Sequence, residues 1–269
     1  MSPFKYLFCI SILLTFSVFP SKAHAADVYI DIEDRQANLI GEIRSGDAER
    51  LASLVASEKK TVFRLMINSA GGDLLEAMRI KDLVNGLHID VQVAKGGYCV
   101  SACFFIFLEG YERHAGWALD DGSLLPKEER DRTMGVVGIH RPYLKSPTGD
   151  VMGTKKQEDL MRSVRDYLAV KVVPQHLIDE MMARPSNDVY WLRERDLELV
   201  GELSPGDEEA LIARCGYKRF RQTLSEKWST EKIILVSRCM TKYYDEQYYP
   251  IQRQFIMKLR TGWRPWLKK

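Results

Sequence analysis

The sequence lacks the short patterns with which many proteins hold nucleotides and metal ions. It contains no G-x-G-x-x-G loop and no G-K-S/T loop, so nucleotide binding has no support. It contains no C-x-x-C pair and no histidine–cysteine cluster at zinc spacing, so we expect no metal site and no cofactor. Its N-terminal apolar run, residues 6–19, is shorter than the roughly 20 residues that a membrane span needs.

The first 25 residues have the three-part pattern of a secretory signal peptide. Lys5 precedes the apolar run, and Ala23-His24-Ala25 offers the small residues of a cleavage site. We therefore predict a signal peptide over residues 1–25 and an exported, periplasmic or secreted chain that begins near Ala26. An uncleaved N-terminal anchor is the alternative.

Charge is spread unevenly over the exported chain. Its 37 basic and 37 acidic side chains balance, which argues against a general nucleic-acid binder. Residues 26–205 carry 30 acidic and 23 basic side chains, whereas residues 206–269 carry 7 and 14. Within the latter, residues 243–251 and 255–260 are typical of aromatic-rich helices. We expect this basic helical extension to dock on the acidic body, with contact to a membrane surface as the alternative.

Cysteine is scarce, but its number after export is even. Cys9 leaves with the signal peptide, and four cysteines in an exported chain are compatible with disulfides. A Cys215–Cys239 bond would tie the extension to itself and is the pairing we predict. Cys99 and Cys103 are four residues apart and would pair only if a helix start between them is distorted. They are otherwise small buried thiols.

The apolar pattern of residues 26–205 alternates between strands and helices. The β-branched run at 61–67 is typical of a buried strand, 73–84 of an amphipathic helix, and 88–94 of the next strand. Such strand–turn–helix units imply parallel pairing with crossover helices. We predict an α/β domain over residues 26–205 that ends at the Ser-Pro-Gly sequence of residues 204–206.

One serine stands where a strand turns into a short apolar helix. Two glycines at 96–97 close the strand, and Ser101 precedes the apolar residues 102–107. A hydroxyl at a helix start faces backbone N–H groups, which suits a nucleophile that must stabilise an oxyanion. The Asn-Ser-Ala-Gly-Gly turn at 68–72 opens another helix, and its N–H groups suit the same task. Each segment alone is equally compatible with ordinary packing.

Three segments in this order resemble the proteolytic subunit of Clp protease. They are residues 67–73 (INSAGGD), 101–102 (SA) and 138–142 (GIHRP). The family pattern runs from an I-N-S-x-G-G turn through a serine flanked by small residues to a histidine in an I-H-x-P setting. The resemblance spans residues 28–203. It implies the ClpP/crotonase fold of repeated strand-strand-helix units and leaves the C-terminal helical extension unexplained.

The resemblance also implies roles for particular residues. Ser101 would be the nucleophile and His140 the general base. Gly72 and Ala102 would supply the N–H groups of the oxyanion hole, and Gly71 would shape the turn beside them. His140 follows a short strand and precedes a proline, which is a rigid place for a base.

The third catalytic residue is less well defined by the pattern. Asp188 is the predicted orienting carboxylate, although its offset differs by one residue from a strict match, and Asn187 is the alternative. The other histidines lack a comparable setting: His88 is expected to start a strand, His114 to lie in a polar loop and His176 in a helix.

These observations together predict an exported serine hydrolase, and specifically a peptidase that acts on peptides or unfolded proteins. The family further implies self-association into a homo-oligomer. One alternative is a catalytically inactive scaffold or peptide-binding module of the same fold. Another is crotonase-like acyl-thioester chemistry, which an exported location disfavours. The polar segment 116–132 between the serine and the histidine is interpreted as either a lid or a surface insertion.

Overall fold

The computed structural model describes residues 25–119, 123–124, 126–130, 133–143, 154–219, 223 and 226–267 of the 269 residues. The predicted signal peptide, apart from its last residue, lies outside these ranges, as do parts of the 116–132 segment. Within the described ranges, every helix is too short or too polar to cross a bilayer.

Two sheets organise the body of the chain. The strands are β1 (Asp27–Asp31), β2 (Gln36–Ile40), β3 (Arg64–Asn68), β4 (Asp90–Val93), β5 (Tyr98–Val100), β6 (Arg113–His114), β7 (Val136–Ile139) and β8 (Tyr190–Trp191). The larger sheet has the order β1-β2-β3-β4-β6, in which only β1 runs antiparallel to its neighbour. The smaller sheet has the order β5-β7-β8, with β8 antiparallel.

Helices connect the strands and form the C-terminal part. They are α1 (Asp47–Ser57), α2 (Leu74–Leu87), α3 (Ala102–Phe107), α4 (Lys127–Arg130), α5 (Thr154–Val170), α6 (Gln175–Ala183), α7 (Glu194–Val200), α8 (Pro205–Cys215), α9 (Thr230–Gln247) and α10 (Tyr249–Arg260). A short 3-10 turn, Pro265–Leu267, follows α10. The crossover helices α1 and α2 join the parallel strands β2, β3 and β4. The predicted α/β class with a helical C-terminus is therefore confirmed.

Helix α3 lies in the middle of the core. All six of its side chains are buried, and the helix contacts α2, β4, β5 and β7. Phe104, Phe105 and Phe107 are among the largest fully buried side chains of the described residues. Complete burial of one such side chain contributes about 2–3 kcal/mol. The helix start is consequently held on a rigid base, and the residue just before it has a fixed position.

The two sheets meet where β3 and β5 end. The N–H of Ser69 donates to the carbonyl of Tyr98 at 2.8 Å, and the N–H of Val100 donates to the carbonyl of Ser69 at 2.9 Å. The 68–72 turn is thereby held beside the end of β5. Asp73 then caps α2, since its carboxylate accepts from two N–H groups of the first turn. This junction brings two of the three predicted motifs together.

The C-terminal extension lies against the body. Helix α10 contacts α1 and α2, and the Phe255 ring covers Gly86 so closely that a Cβ there would come within 2.0 Å of it. The Gln252 amide donates to a main-chain carbonyl of the body. Arg264, only 8% exposed, pairs with Glu49 of α1. Apolar packing and one bidentate ion pair thus hold the basic extension on the acidic body.

Some local predictions differ from the structure. His88 does not start a strand. It ends α2 in a left-handed conformation, with φ of 48°, and β4 begins two residues later. His114 lies in β6 rather than in a loop, because its pairing with β4 is non-local and invisible in the local polarity. The helical residues 243–251 belong to two longer helices.

Candidate active site

Ser101 lies at a sharp turn between β5 and α3. Its backbone has φ of 59° and ψ of −124°, in a region that non-glycine residues rarely adopt. Its N–H donates to the carbonyl of Gly138 in β7 at 3.1 Å, which holds the turn in place. Strained strand-to-helix turns of this kind present the hydroxyl of a nucleophilic serine. The backbone of Ser101 therefore differs from that of an ordinary helix cap, and its side chain makes no capping hydrogen bond.

A disulfide brackets this turn. Cys99 in β5 and Cys103 in α3 are bonded to each other, and both are fully buried. The sequence left open whether these two cysteines pair, because pairing requires a distorted helix start. The left-handed backbone of Ser101 between them supplies that distortion. In the extension, Cys215 and Cys239 form a second disulfide, which links α8 to α9.

Gly71 touches the serine directly. Its φ is +94°, and a Cβ on it would lie 2.7 Å from both the Cβ of Ser101 and the carbonyl oxygen of Val100. Its own N–H donates to the hydroxyl of Ser69 at 3.1 Å. Gly71 therefore shapes the turn and lets two segments approach, as the resemblance implies, while its N–H is engaged elsewhere.

Two other backbone N–H groups are available at the site. The residues on either side of Gly72 form main-chain hydrogen bonds with Ile43. The N–H of Ile43 donates to the carbonyl of Gly71 at 2.8 Å, and the N–H of Asp73 donates to the carbonyl of Ile43 at 2.9 Å. Among the described residues, no acceptor is found for the N–H of Gly72 itself. The N–H of Ala102 opens α3 and has no partner within its helix. Both residues line the same cavity as Ser101.

His140 lies just beyond β7 and is 7% exposed. Its Nδ1 is 3.0 Å from the carbonyl oxygen of Arg141, and its ring stacks on Tyr143 at 6.3 Å between centroids. A carbonyl oxygen only accepts, so Nδ1 is the donor in this hydrogen bond, and in the neutral imidazole Nε2 is then the acceptor. Ser101 and His140 line one cavity of about 540 Å³, and this geometry offers a nucleophile, a base and two N–H donors to one ligand.

The predicted third residue lies outside this cavity. The carboxylate of Asp188 is bound by Arg184 at 2.9 Å and is 53% exposed. Asn187 is exposed and does not line the cavity either; the nearby residue that does is Ser186. The hydrogen bond found for the imidazole goes to the carbonyl of Arg141. The assignment of Asp188 or Asn187 as the orienting residue stays a prediction.

The cavity is also lined by residues that the sequence did not indicate. Arg44 and Ser45 reach it from the β2–α1 connection, far from the motifs in the chain. Tyr143 is three residues beyond the histidine, and its position after a proline is a signal that could have revealed it. Tyr143 and Ser186 also line an adjoining groove of about 780 Å³. The groove is lined further by basic and apolar side chains of α5 and α6, namely Met161, Arg162, Arg165 and Met182.

Comparison with known proteins agrees with the motifs. Residues 21–116 match the family model of Clp protease, a range that contains the 68–72 turn and Ser101 and ends before His140. No curated protein sequence matches the chain. The resemblance predicted from the sequence is therefore confirmed, and within these residues the chain is similar to Clp proteases.

Two solved structures illustrate the likeness. ClpP1 from Listeria monocytogenes is 20% identical, with 64% of this chain and 89% of that chain covered and a TM-score of 0.43. A mutant of the 1510-N membrane-bound stomatin-specific protease is 16% identical, with 67% and 84% covered and a TM-score of 0.41.

Proposed function

We propose that this chain, which resembles the ClpP-like serine proteases, is an exported serine peptidase. One observation carries the proposal. Ser101 has a strained backbone pressed against Gly71, and it opens into a cavity that His140 also lines. Backbone strain of this kind persists where the surrounding structure holds it and is found often at active sites, which supports a catalytic role for the serine.

The geometry supports acyl-enzyme chemistry. The hydroxyl oxygen of Ser101 attacks the carbonyl carbon of a peptide bond, and Nε2 of His140 takes the hydroxyl proton. The negative charge on the carbonyl oxygen is stabilised by the N–H groups of Gly72 and Ala102. His140 then gives the proton to the leaving amine, and a water molecule, activated by the same imidazole, releases the acyl group.

The carbonyl of Arg141 orients the imidazole in this proposal. It holds Nδ1–H and leaves Nε2 as the base, which is the task that a carboxylate performs in a Ser-His-Asp site. Asp188 is the competing candidate, in which case its carboxylate must leave Arg184 during catalysis. The variant Asp188→Asn separates the two. We expect Asp188→Asn to react with a fluorophosphonate probe at a rate within about tenfold of the wild type. A loss of rate as large as that of His140→Ala would establish the Asp188 carboxylate as the orienting group.

Export and partners complete the proposal. Two disulfides suit an oxidising compartment, and this supports a periplasmic or secreted location. The open cavity supports peptides or unfolded proteins as substrates. Self-association rests on the resemblance. Exposed apolar side chains on α9, Ile233, Ile234 and Leu235, support contact of the basic extension with a membrane surface.

Labelling with a fluorophosphonate probe tests the central proposal. We expect the mature protein to be labelled, Ser101→Ala to lose labelling completely, and His140→Ala to lose at least about 100-fold in rate, since general base catalysis contributes that much. The matched control is Ser57→Ala, because Ser57 is exposed at the end of α1 and bonds only a local carbonyl. Labelling that survives Ser101→Ala would refute the assignment. Folded wild-type protein that takes no label would favour the inactive scaffold.

A further inference from the structure

A second cluster of reactive side chains lies at the edge of the larger sheet. Asp90 begins β4, Glu112 precedes β6 and His114 ends it, and parallel pairing of the two strands brings the three together. One ligand atom of each lies within 4.8 Å of the other two. The Nε2 of His114 is 3.2 Å from a carboxylate oxygen of Glu112. None of the three lines the cavity of Ser101.

The cluster brings two carboxylates and an imidazole together at the sheet edge. The side chains of Asp90 and Glu112 are 21% and 30% exposed, so two carboxylates share a half-buried site. The cation of Arg64 stands 3.9 Å from Asp90 and is itself 42% exposed. A divalent cation bound between the two carboxylates would offset their mutual repulsion.

The cluster is also preorganised and accessible. The backbone N–H of Glu112 donates to Oδ1 of Asp90 at 3.3 Å, which fixes that carboxylate. Oδ2 of Asp90 faces the guanidinium of Arg64 at 3.9 Å, so an ion bound to this oxygen requires the half-exposed arginine side chain to move aside. A cavity of about 290 Å³ reaches Glu112 and His114 between the sheet edge and the C-terminal extension, with Trp228 on the far side. An ion therefore has both space and a route to the site.

We propose that Asp90, Glu112 and His114 bind a divalent transition-metal ion, with zinc as the ion of best fit. An imidazole nitrogen with two carboxylate oxygens suits zinc and its neighbours, whereas calcium and magnesium prefer oxygen alone. Bonds of about 2.1 Å in a tetrahedron place ligand atoms roughly 3.4 Å apart, so the three side chains need to close only slightly.

The site has a structural role in this proposal. The ion joins β4 to β6 at the sheet edge, directly beneath the extension, and it takes no part in the chemistry of Ser101. The proposal is therefore independent of the peptidase assignment. The sequence did not predict it, because Glu112-x-His114 is not a zinc spacing and Asp90 is 22 residues away from its nearest partner.

Zinc binding to the full exported chain, produced without a histidine tag and stripped with EDTA, tests the proposal. We expect about one zinc per chain by elemental analysis after dialysis and a rise in melting temperature with zinc, since a ligand of the folded state stabilises it. His114→Ala and Glu112→Gln should each weaken binding by at least about tenfold. The matched control is His176→Gln, which breaks another histidine–carboxylate pair, with Asp196, and should leave zinc binding unchanged.

A second readout covers variants that fold poorly. The visible absorption of bound cobalt reports on the number and geometry of its ligands, and Glu112→Gln, which keeps the shape of its side chain, should still give a cobalt spectrum at a higher cobalt concentration. Zinc affinity that is equal in the wild type, His114→Ala and Glu112→Gln overturns the proposal, as does the absence of zinc binding by folded wild-type protein.

Discussion

At the scale of single residues, Gly71 shows how closely the site is constrained. Gly71→Ala places a methyl group 2.7 Å from the Cβ of Ser101 and forces a side chain into a backbone with φ of +94°. We expect the serine to be displaced, probe labelling to fall by at least about 100-fold, and the free energy of unfolding to fall by about 1–3 kcal/mol.

Gly262→Ala is the control for this prediction. Gly262 has a similar φ of +84°, but a Cβ there meets nothing within 4 Å. Gly262→Ala should lose about as much unfolding free energy, measured in urea, as Gly71→Ala does, and it should keep the probe-labelling rate of the wild type. If Gly71→Ala keeps the labelling rate of Gly262→Ala, the contact with Ser101 has no catalytic importance.

The residues of the site that sequence reasoning identified are those defined by backbone geometry. Ser101, Gly71 and Gly72 sit in turns whose small residues are visible in the chain. The hydrogen-bond partner of the His140 imidazole was not predictable in the same way, because the bond found goes to the main-chain carbonyl of Arg141, and every residue has such a carbonyl. The Asp90–His114 cluster was missed for a related reason, since only strand pairing brings its members together.

At the scale of elements, the Cys99–Cys103 disulfide connects β5 to α3 across Ser101. The double variant Cys99→Ala/Cys103→Ala removes the link, and the chain-entropy cost of so short a loop predicts a loss of about 2 kcal/mol in the free energy of unfolding. We expect labelling to fall as well, because nothing covalent then maintains the distorted helix start.

The second disulfide provides a matched control. Cys215→Ala/Cys239→Ala opens a loop with a sequence separation of 24, so the expected loss is larger, about 3.5 kcal/mol. This bond lies in the extension, so labelling at 25 °C should stay unchanged. If the labelling rate of the two double variants falls in proportion to their loss of unfolding free energy, the Cys99–Cys103 bond has no local role at Ser101.

The elements themselves were largely predictable. Alternation of β-branched runs with amphipathic stretches identified β3, α2 and β7. β3 and α2 each bury one regular face, and all four residues of β7 are buried. The N-terminal half of α9 was missed. Its side chains are not buried in the structure, so no apolar periodicity marked it, and its start is set by Ser229, whose hydroxyl accepts from the N–H of Lys232.

At the scale of the whole molecule, the opposite charges of body and extension meet at one strong contact. Both carboxylate oxygens of Glu49 accept from the guanidinium of Arg264, which is nearly buried and also donates to the carbonyls of Leu259 and Trp263. The apolar packing of Phe255 on Gly86 lies beside it. The sequence predicted docking from net charge, whereas the structure adds a second, apolar contact in which Tyr111 and Leu203 of the body pack with Leu211 and Tyr217 of the extension.

The Glu49–Arg264 pair makes the attachment of the extension sensitive to acid. The hydrogen bond from Arg264 lowers the pKa of Glu49 below its usual 4.5. A carboxyl group whose pKa is lower in the folded state stabilises the fold fully above its unfolded pKa, and this contribution disappears as the pH falls through the folded value. Glu49→Gln should therefore cost about 1 kcal/mol at pH 7, a modest figure because Glu49 is half exposed.

Urea unfolding of the wild type and Glu49→Gln between pH 7 and pH 3 measures this contribution. The difference in unfolding free energy should be constant down to about pH 4.5 and shrink towards zero below it, because the wild-type carboxyl group is then neutral like the amide. Glu33→Gln, on an exposed turn, should match the wild type throughout. A difference that persists undiminished at pH 3 would mean that the glutamine disrupts packing, and docking of the extension would then depend on its apolar face rather than on charge.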